Sequence, residues 1–172
     1  MTQPISLEAL NRLSREEFAA RLGHIFEHSP WVAEAAWAGR PFASVAALHR
    51  AMVEAMYAAG EERHVALIAA HPDLVGRAAL AGTLTPDSTR EQTAAGLGAL
   101  SPDEVARFGE LNGAYRTRFG FPFVICAREN KKAAILAGFE VRLGNTREQE
   151  IATALGEIAK IAWYRLVEVA QD

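Results

Sequence analysis

Phe119-Gly120-Phe121-Pro122-Phe123-Val124-Ile125-Cys126-Ala127 is the one run in this chain with the composition of a β-strand. Aromatic and β-branched residues fill it, as they fill strands. It also carries glycine and proline, and no second run of its kind offers a pairing partner. A lone strand cannot satisfy its own backbone N–H and C=O groups. The run therefore reads as a buried extended segment, with some amides left for a ligand. Everything around it reads as helix. The expected fold is all-α, a single-domain irregular helical bundle over residues 1–172, with the extended segment at about 119–127.

Downstream, Asn130 to Leu143 has helical composition and Gly144-Asn145 breaks it. Asn145-Thr146-Arg147-Glu148 then has the spelling of a capping box for a last, longest helix ending near Val169. Upstream, Ser101-Pro102-Asp103-Glu104 is a capping box with proline at the first helical position, and its helix runs to about Arg118. Ser88 reads as the opening of a helix through about Ala95, and residues 73–86 as mixed, with a turn or short helix around Leu74 to Leu80. Glu61 to Ala70 is helical, with Val65, Ile68 and Ala69 inward. Pro72 biases His71 away from the α region, so that helix ends just before His71.

In the N-terminal part, Ser6 opens a short helix from Ile5 to Leu13. The Ser14–Glu17 box starts another through about Glu27, with Phe18, Leu22, Ile25 and Phe26 on one face. Ser29-Pro30 restarts a helix anchored by Trp31 and Trp37 and stopped by Gly39-Arg40-Pro41. Ser44 caps the next, whose apolar stripe is Val45, Leu48, Met52 and Met56, with Gly60 just past its end.

The bulk composition narrows the function classes. At 172 residues the chain can bury a real core, and 50% apolar with 23% charged residues is the balance of a soluble globular protein. A formal net charge of −3 argues against nucleic acid, whose partners present clearly basic surfaces. Cys126 is the only cysteine, so an intrachain disulfide and a thiolate metal cluster are excluded, which fits a reducing compartment. Met1 to Leu13 lacks a secretory pattern, and no run of about 18 apolar residues could form a membrane helix. The terminal Ala170-Gln171-Asp172 is neither a peroxisomal tripeptide nor a lipidation box. The expectation is a cytoplasmic protein, with no nucleic acid and no membrane as partner.

Chemistry-bearing residues concentrate between His71 and Gln92. His71 sits at a helix break. It reads either as a C-terminal histidine favoured by the helix dipole or as a general acid/base that titrates near neutrality. Ser88 and Glu91 read either as a capping box or as ligand-holding groups at a helix N-terminus, where Gln92 adds an amide. Asp73 is a possible ligand or an ordinary turn residue. His24 and His28 are four apart, a metal-compatible spacing on one helix, without an evident third ligand. His49 and His64 read as surface or half-buried, and Cys126 as core rather than nucleophile. Arg165 lies among Ile161, Ala162, Trp163 and Leu166, where a guanidinium requires a carboxylate partner from protein or ligand. Arg128 follows the extended segment and Arg142 ends a helix. Two other function classes stand beside an acid/base enzyme: a metal-dependent hydrolase using His71 and Asp73, and a non-catalytic helical dimerisation module.

Five motifs occur in a fixed order: His-Pro-Asp-Leu at 71–74, Ser-x-x-Glu-Gln at 88–92, Phe-Gly-Phe-Pro-Phe-Val-Ile-Cys-Ala-Arg at 119–128, Arg-Leu-x-Asn at 142–145, and Glu-Ile-x-Lys-Ile-x-x-x-Arg-Leu at 157–166. The ordered set resembles the 2-oxo-4-hydroxy-4-carboxy-5-ureidoimidazoline (OHCU) decarboxylase family of urate degradation, from about Leu7 to Val169. The resemblance implies an all-α homodimer with no metal and no organic cofactor. The implied reaction is that of a carboxy-lyase, loss of CO2 from OHCU to give (S)-allantoin. It implies His71 as the catalytic acid/base, with Pro72 lining the site. It implies that Ser88, Glu91 and Gln92 hold the ligand, and that Phe123, Val124, Ile125, Cys126 and Ala127 contact the ureidoimidazoline through their backbone. Arg165 resembles the family's active-site arginine, with Glu91 a candidate for its anionic partner and Arg142 a second candidate arginine. Whether Glu91 faces substrate or closes its own capping box stays open at this level.

Overall fold

The computed structural model describes residues 4–172. Met1–Gln3, which open the stretch read for a leader, lie outside the described residues. Ten α-helices carry the described chain: α1 (Leu7–Arg12), α2 (Arg15–Leu22), α3 (Trp31–Ala36), α4 (Val45–Tyr57), α5 (Glu61–Ala70), α6 (Arg77–Leu80), α7 (Pro86–Ala94), α8 (Pro102–Phe119), α9 (Lys132–Arg142) and α10 (Arg147–Val169). A 3-10 turn, Trp37–Gly39, follows α3. Two strands of two residues each, β1 (Ile5–Ser6) and β2 (Ala170–Gln171), pair in parallel with Ile5 opposite Ala170. The all-α expectation holds, and this short parallel pair is the one addition to it. No helix among the described residues is long and apolar enough to cross a membrane.

The helices group into two compact units. One comprises the chain up to Ala70 together with Ala159–Asp172, and the other is His71–Ile158. Helix α10 contributes its first part to the second unit and its last part to the first.

In the first unit the expected stripe of Val45, Leu48, Met52 and Met56 is buried, as are Phe18, Leu22, Ile25 and Phe26. Ser14 and Glu17 form the expected capping box on α2. That helix stops at Leu22 rather than near Glu27. Gly23 is a poor helix former, and a Cβ there would meet the Cβ of Pro30 at 3.0 Å, so the chain turns away tightly. His24 and His28 therefore do not share a helix, and His28 has a positive φ of 46°. Their metal-compatible spacing does not survive in three dimensions. On α5, Leu67 and Ile68 are the buried residues while Ala69 is exposed.

In the second unit, Ser101 and Glu104 form the expected capping box with Pro102 behind them. Helix α8 ends on Gly120, whose φ of 81° is readily adopted only by glycine, and this launches the extended segment. The segment packs as an aromatic core. Phe123 stacks on Phe139 at 3.8 Å between ring centres, and Tyr115 meets Phe119 at 4.6 Å and Phe123 at 5.4 Å. Residues 121–127 are buried except for the half-buried Ile125, and none joins a sheet, as expected.

Two helix starts differ from their expected register. Helix α7 opens on Thr85, whose hydroxyl accepts from the Ser88 N–H at 3.3 Å, with Pro86 inside the first turn. Ser88 is thus the third residue of the helix and not its cap. The physical reason is that proline lacks an N–H and suits the first helical position, where none is needed. At α10 the reciprocal pair is Thr146 with Gln149, one residue later than Asn145 with Glu148. Asn145 is instead engaged with Glu150.

Candidate active site

His71 follows directly on the last residue of α5 and is only 6% exposed. Pro72 beside it is half-buried. The next residues are held from two helices of the same unit. The Gln92 side chain accepts from the Val75 N–H at 3.0 Å and donates to the Asp73 carbonyl at 3.3 Å. Asn112 on α8 donates from Nδ2 to the Leu74 carbonyl at 2.8 Å. Arg116, one turn further along α8, donates from Nε to both Asp73 carboxylate oxygens at 2.9 and 3.0 Å. Asp73 is therefore an ion-pair partner in a clamped turn.

Helix α7 has an unusual buried face. Ser88, Glu91 and Gln92, spaced i, i+3 and i+4, are its only buried residues, and all three are polar. Thr89, Arg90 and Thr93 on its other faces are exposed. An ordinary surface helix buries an apolar stripe against its neighbours. A helix that buries hydroxyl, carboxylate and amide instead carries the cost of desolvating them and must offer them hydrogen bonds. Because Thr85 is the cap, Glu91 lies beyond the first turn and closes no capping box. Of the two readings of Glu91 left open by sequence, the capping box is thereby excluded.

The extended segment satisfies part of its backbone with side chains. The Val124 carbonyl accepts from Arg142 Nη1 at 2.7 Å, and the Cys126 N–H donates to Glu157 Oε2 at 2.8 Å. Of the amides expected to be available to a ligand, that of Cys126 is already committed. The Cys126 thiol is buried, and desolvation pushes its pKa up to about 11, so it stays a neutral thiol near pH 7.

Behind this segment lies a polar network that sequence reading did not anticipate. Glu150 has no exposed surface, and its carboxylate accepts from Arg142 Nε at 2.8 Å, from Asn145 Nδ2 at 2.9 Å and from the Tyr115 hydroxyl. Burial, and then the bond to Glu150, raises the Tyr115 pKa above its usual range. The Arg142 guanidinium lies 4.2 Å from the centre of the Phe123 ring. Removing one partner of such a pair strands a buried charge, a loss of roughly 3–5 kcal/mol.

Arg165 belongs to the first unit. It is 2% exposed, and its carboxylate partner there is Glu27, at 2.7 Å from Nη1. The apolar surroundings of Arg165 had called for such a partner, but nothing local identified Glu27. His49 meets the Ala159 carbonyl at 2.8 Å and His64 the Met56 carbonyl at 2.9 Å, so both have backbone partners. Among the described residues, no three side chains of His, Cys, Asp or Glu gather as a metal site.

The chain is similar to known proteins over nearly its whole length. The family model described as OHCU decarboxylase matches residues 11–167. The 2-oxo-4-hydroxy-4-carboxy-5-ureidoimidazoline decarboxylase of Amia calva is 42% identical over 170 residues, covering 97% of this chain and 95% of its own length. The protein of the same name from Haloferax volcanii is 42% identical over 164 residues, covering 95% of each. A crystal structure of an (S)-allantoin synthase superposes with a TM-score of 0.74 at 32% identity, over 96% of this chain and 54% of that one.

Proposed function

This chain belongs to the OHCU decarboxylase family, and on that premise we propose that it is a carboxy-lyase of urate degradation that converts OHCU to (S)-allantoin and CO2. The observation that carries the reading is the polar buried face of α7, Ser88, Glu91 and Gln92, in the same unit as the buried His71. Such a face has a use if a polar ligand is held against it.

The substrate helps the chemistry. One carbon bears both the carboxylate and a hydroxyl and lies next to a C=N bond, which accepts the electron pair as CO2 leaves. The protein then has to orient the carboxylate, move protons and select the face that is reprotonated. In this reading His71 exchanges the proton, and Pro72 fixes the backbone beside it. Glu91 sets the histidine tautomer or binds the substrate hydroxyl. Ser88 and Gln92 hold the ring and ureido groups, with backbone from Phe123, Val124, Ile125, Cys126 and Ala127. Gln92 retains one N–H and one lone pair beyond its bonds to the 73–75 turn. Arg165 is kept as a catalytic arginine on the family resemblance, with Glu27 fixing its orientation. The working form is a homodimer of single-domain chains spanning residues 1–172, cytoplasmic and without a cofactor.

The deciding experiment is circular dichroism of the allantoin formed from freshly generated OHCU, which separates enzymatic from spontaneous decay by rate and handedness. The wild-type chain accelerates the reaction and yields one enantiomer, and His71→Asn loses about 10²–10⁴-fold of that rate. A folded His71→Asn protein with full stereospecific turnover sinks the assignment. A metal-dependent hydrolase predicts inhibition by chelator instead. A dimerisation module predicts no rate above the spontaneous one.

A further inference from the structure

We propose that Asn112 is a positioning residue for His71, acting through the strained turn that follows the His71-Pro72 pair; the proposal rests on the acid/base reading of His71. Three consecutive residues of that turn are each held by a side-chain amide. Asp73 and Val75 are held by Gln92, and Leu74 by Asn112, from helices α7 and α8. The turn needs holding. Val75 has a φ of 52°, a left-handed conformation that is costly for a β-branched residue and persists only where the surroundings over-determine it. Pro72 has a ring-locked φ, so few rotatable bonds separate the clamped residues from the histidine. If the turn relaxes, the imidazole moves with it.

Asn112 is itself informative as a choice of residue. It is 6% exposed, and its Oδ1 is buried without a hydrogen-bond partner in the protein. If the position served only to fill space, leucine would fill it without desolvating an unanswered carbonyl. What asparagine adds over leucine is the N–H···O bond to Leu74. Arg116 reinforces the same turn from the same helix through the Asp73 carboxylate.

The test compares Asn112→Ala with Asn112→Leu. The leucine variant keeps the volume and removes the unanswered acceptor, so it folds even if the alanine variant is fragile. Three quantities are measured: steady-state kinetics on OHCU, thermal unfolding, and the ¹⁵N resonances of the His71 imidazole. The clamp predicts a kcat lower by about 10- to 100-fold at nearly unchanged KM, the scale of effect that small misplacements of a catalytic group produce. It also predicts that the His71 ¹⁵N resonances shift or broaden in both variants. Unchanged kcat and unchanged His71 resonances, with only the unfolding temperature lowered, overturn it and leave Asn112 a structural residue. A wild-type chain inactive on OHCU refutes the proposed function instead, and the His71 resonances still decide the clamp.

Discussion

Ser101–Glu104 and Ser88–Glu91 both read Ser-x-x-Glu near the start of a helix, yet only the first closes on itself. At Ser101 the serine hydroxyl accepts from the Glu104 N–H at 3.2 Å, and the Glu104 carboxylate accepts from the Ser101 N–H at 2.9 Å. Ser14–Glu17 does the same on α2, with distances of 3.2 and 2.9 Å. Those boxes lie toward solvent. At α7 the capping work is done by Thr85, three residues earlier, and Ser88 and Glu91 are buried at 4% and 8% exposure. The difference is one of register. A helix start needs one capping oxygen, and once threonine supplies it the following serine and glutamate are released for other partners.

Glutamate to glutamine is the sharpest way to break this comparison. Glu91→Gln should lower stereospecific allantoin formation by about 10²–10⁴-fold, the range associated with acid/base groups, with little loss of stability. Glu104→Gln should leave turnover at the wild-type level, since glutamine also closes a capping box. Equal turnover in the two variants would put Glu91 back among the structural glutamates.

Removing the serines should give a smaller, inverted pattern. Ser101→Ala and Thr85→Ala each remove a true cap and should cost about 1 kcal/mol in urea unfolding. Ser88→Ala should cost less stability than Thr85→Ala while raising KM for OHCU. A Ser88→Ala loss as large as that of Ser101→Ala would mean that both serines cap.

The smallest effect is a pH signature of the closed boxes. The backbone N–H and then the hydroxyl of Ser14 hold the Glu17 carboxyl below its usual pKa, and Lys132 and then the Ser101 N–H do so for Glu104. A depressed carboxylate contributes stability above its unfolded-state pKa of about 4.3, and loses it as pH falls through the folded value. The unfolding temperature of wild type should therefore exceed that of Glu17→Gln at pH 6, and the gap should close in acid. A gap that persists after the carboxylates are protonated would assign the difference to packing.

Much of this was legible along the chain. The stop before His71, the two true capping boxes and the unpaired extended segment each rest on rules that span a few residues. The register of α7 was also legible: Thr85-Pro86-Asp87 repeats the pattern of Ser101-Pro102-Asp103, a capping oxygen, a proline and an acid in the first turn. That triplet, and not Ser88, marks the helix start. Asn112 carried no comparable signal. Its partner Leu74 is 38 residues away, and an asparagine inside a helix is unremarkable until that contact is seen.

Sequence by itself determined the helix boundaries set by proline, glycine and capping residues, the absence of a second cysteine, and the ordered motifs that mark the family. Those features depend on covalent geometry and on hydrogen bonds three or four residues long, so they are written locally. Tertiary structure alone decided that Ser88, Glu91 and Gln92 are buried together, that Glu150 answers Arg142, and that Glu27 answers Arg165 across 138 residues. A buried charge or amide requires a partner, but chain connectivity leaves the partner's identity open, and only packing brings the two groups within bonding distance.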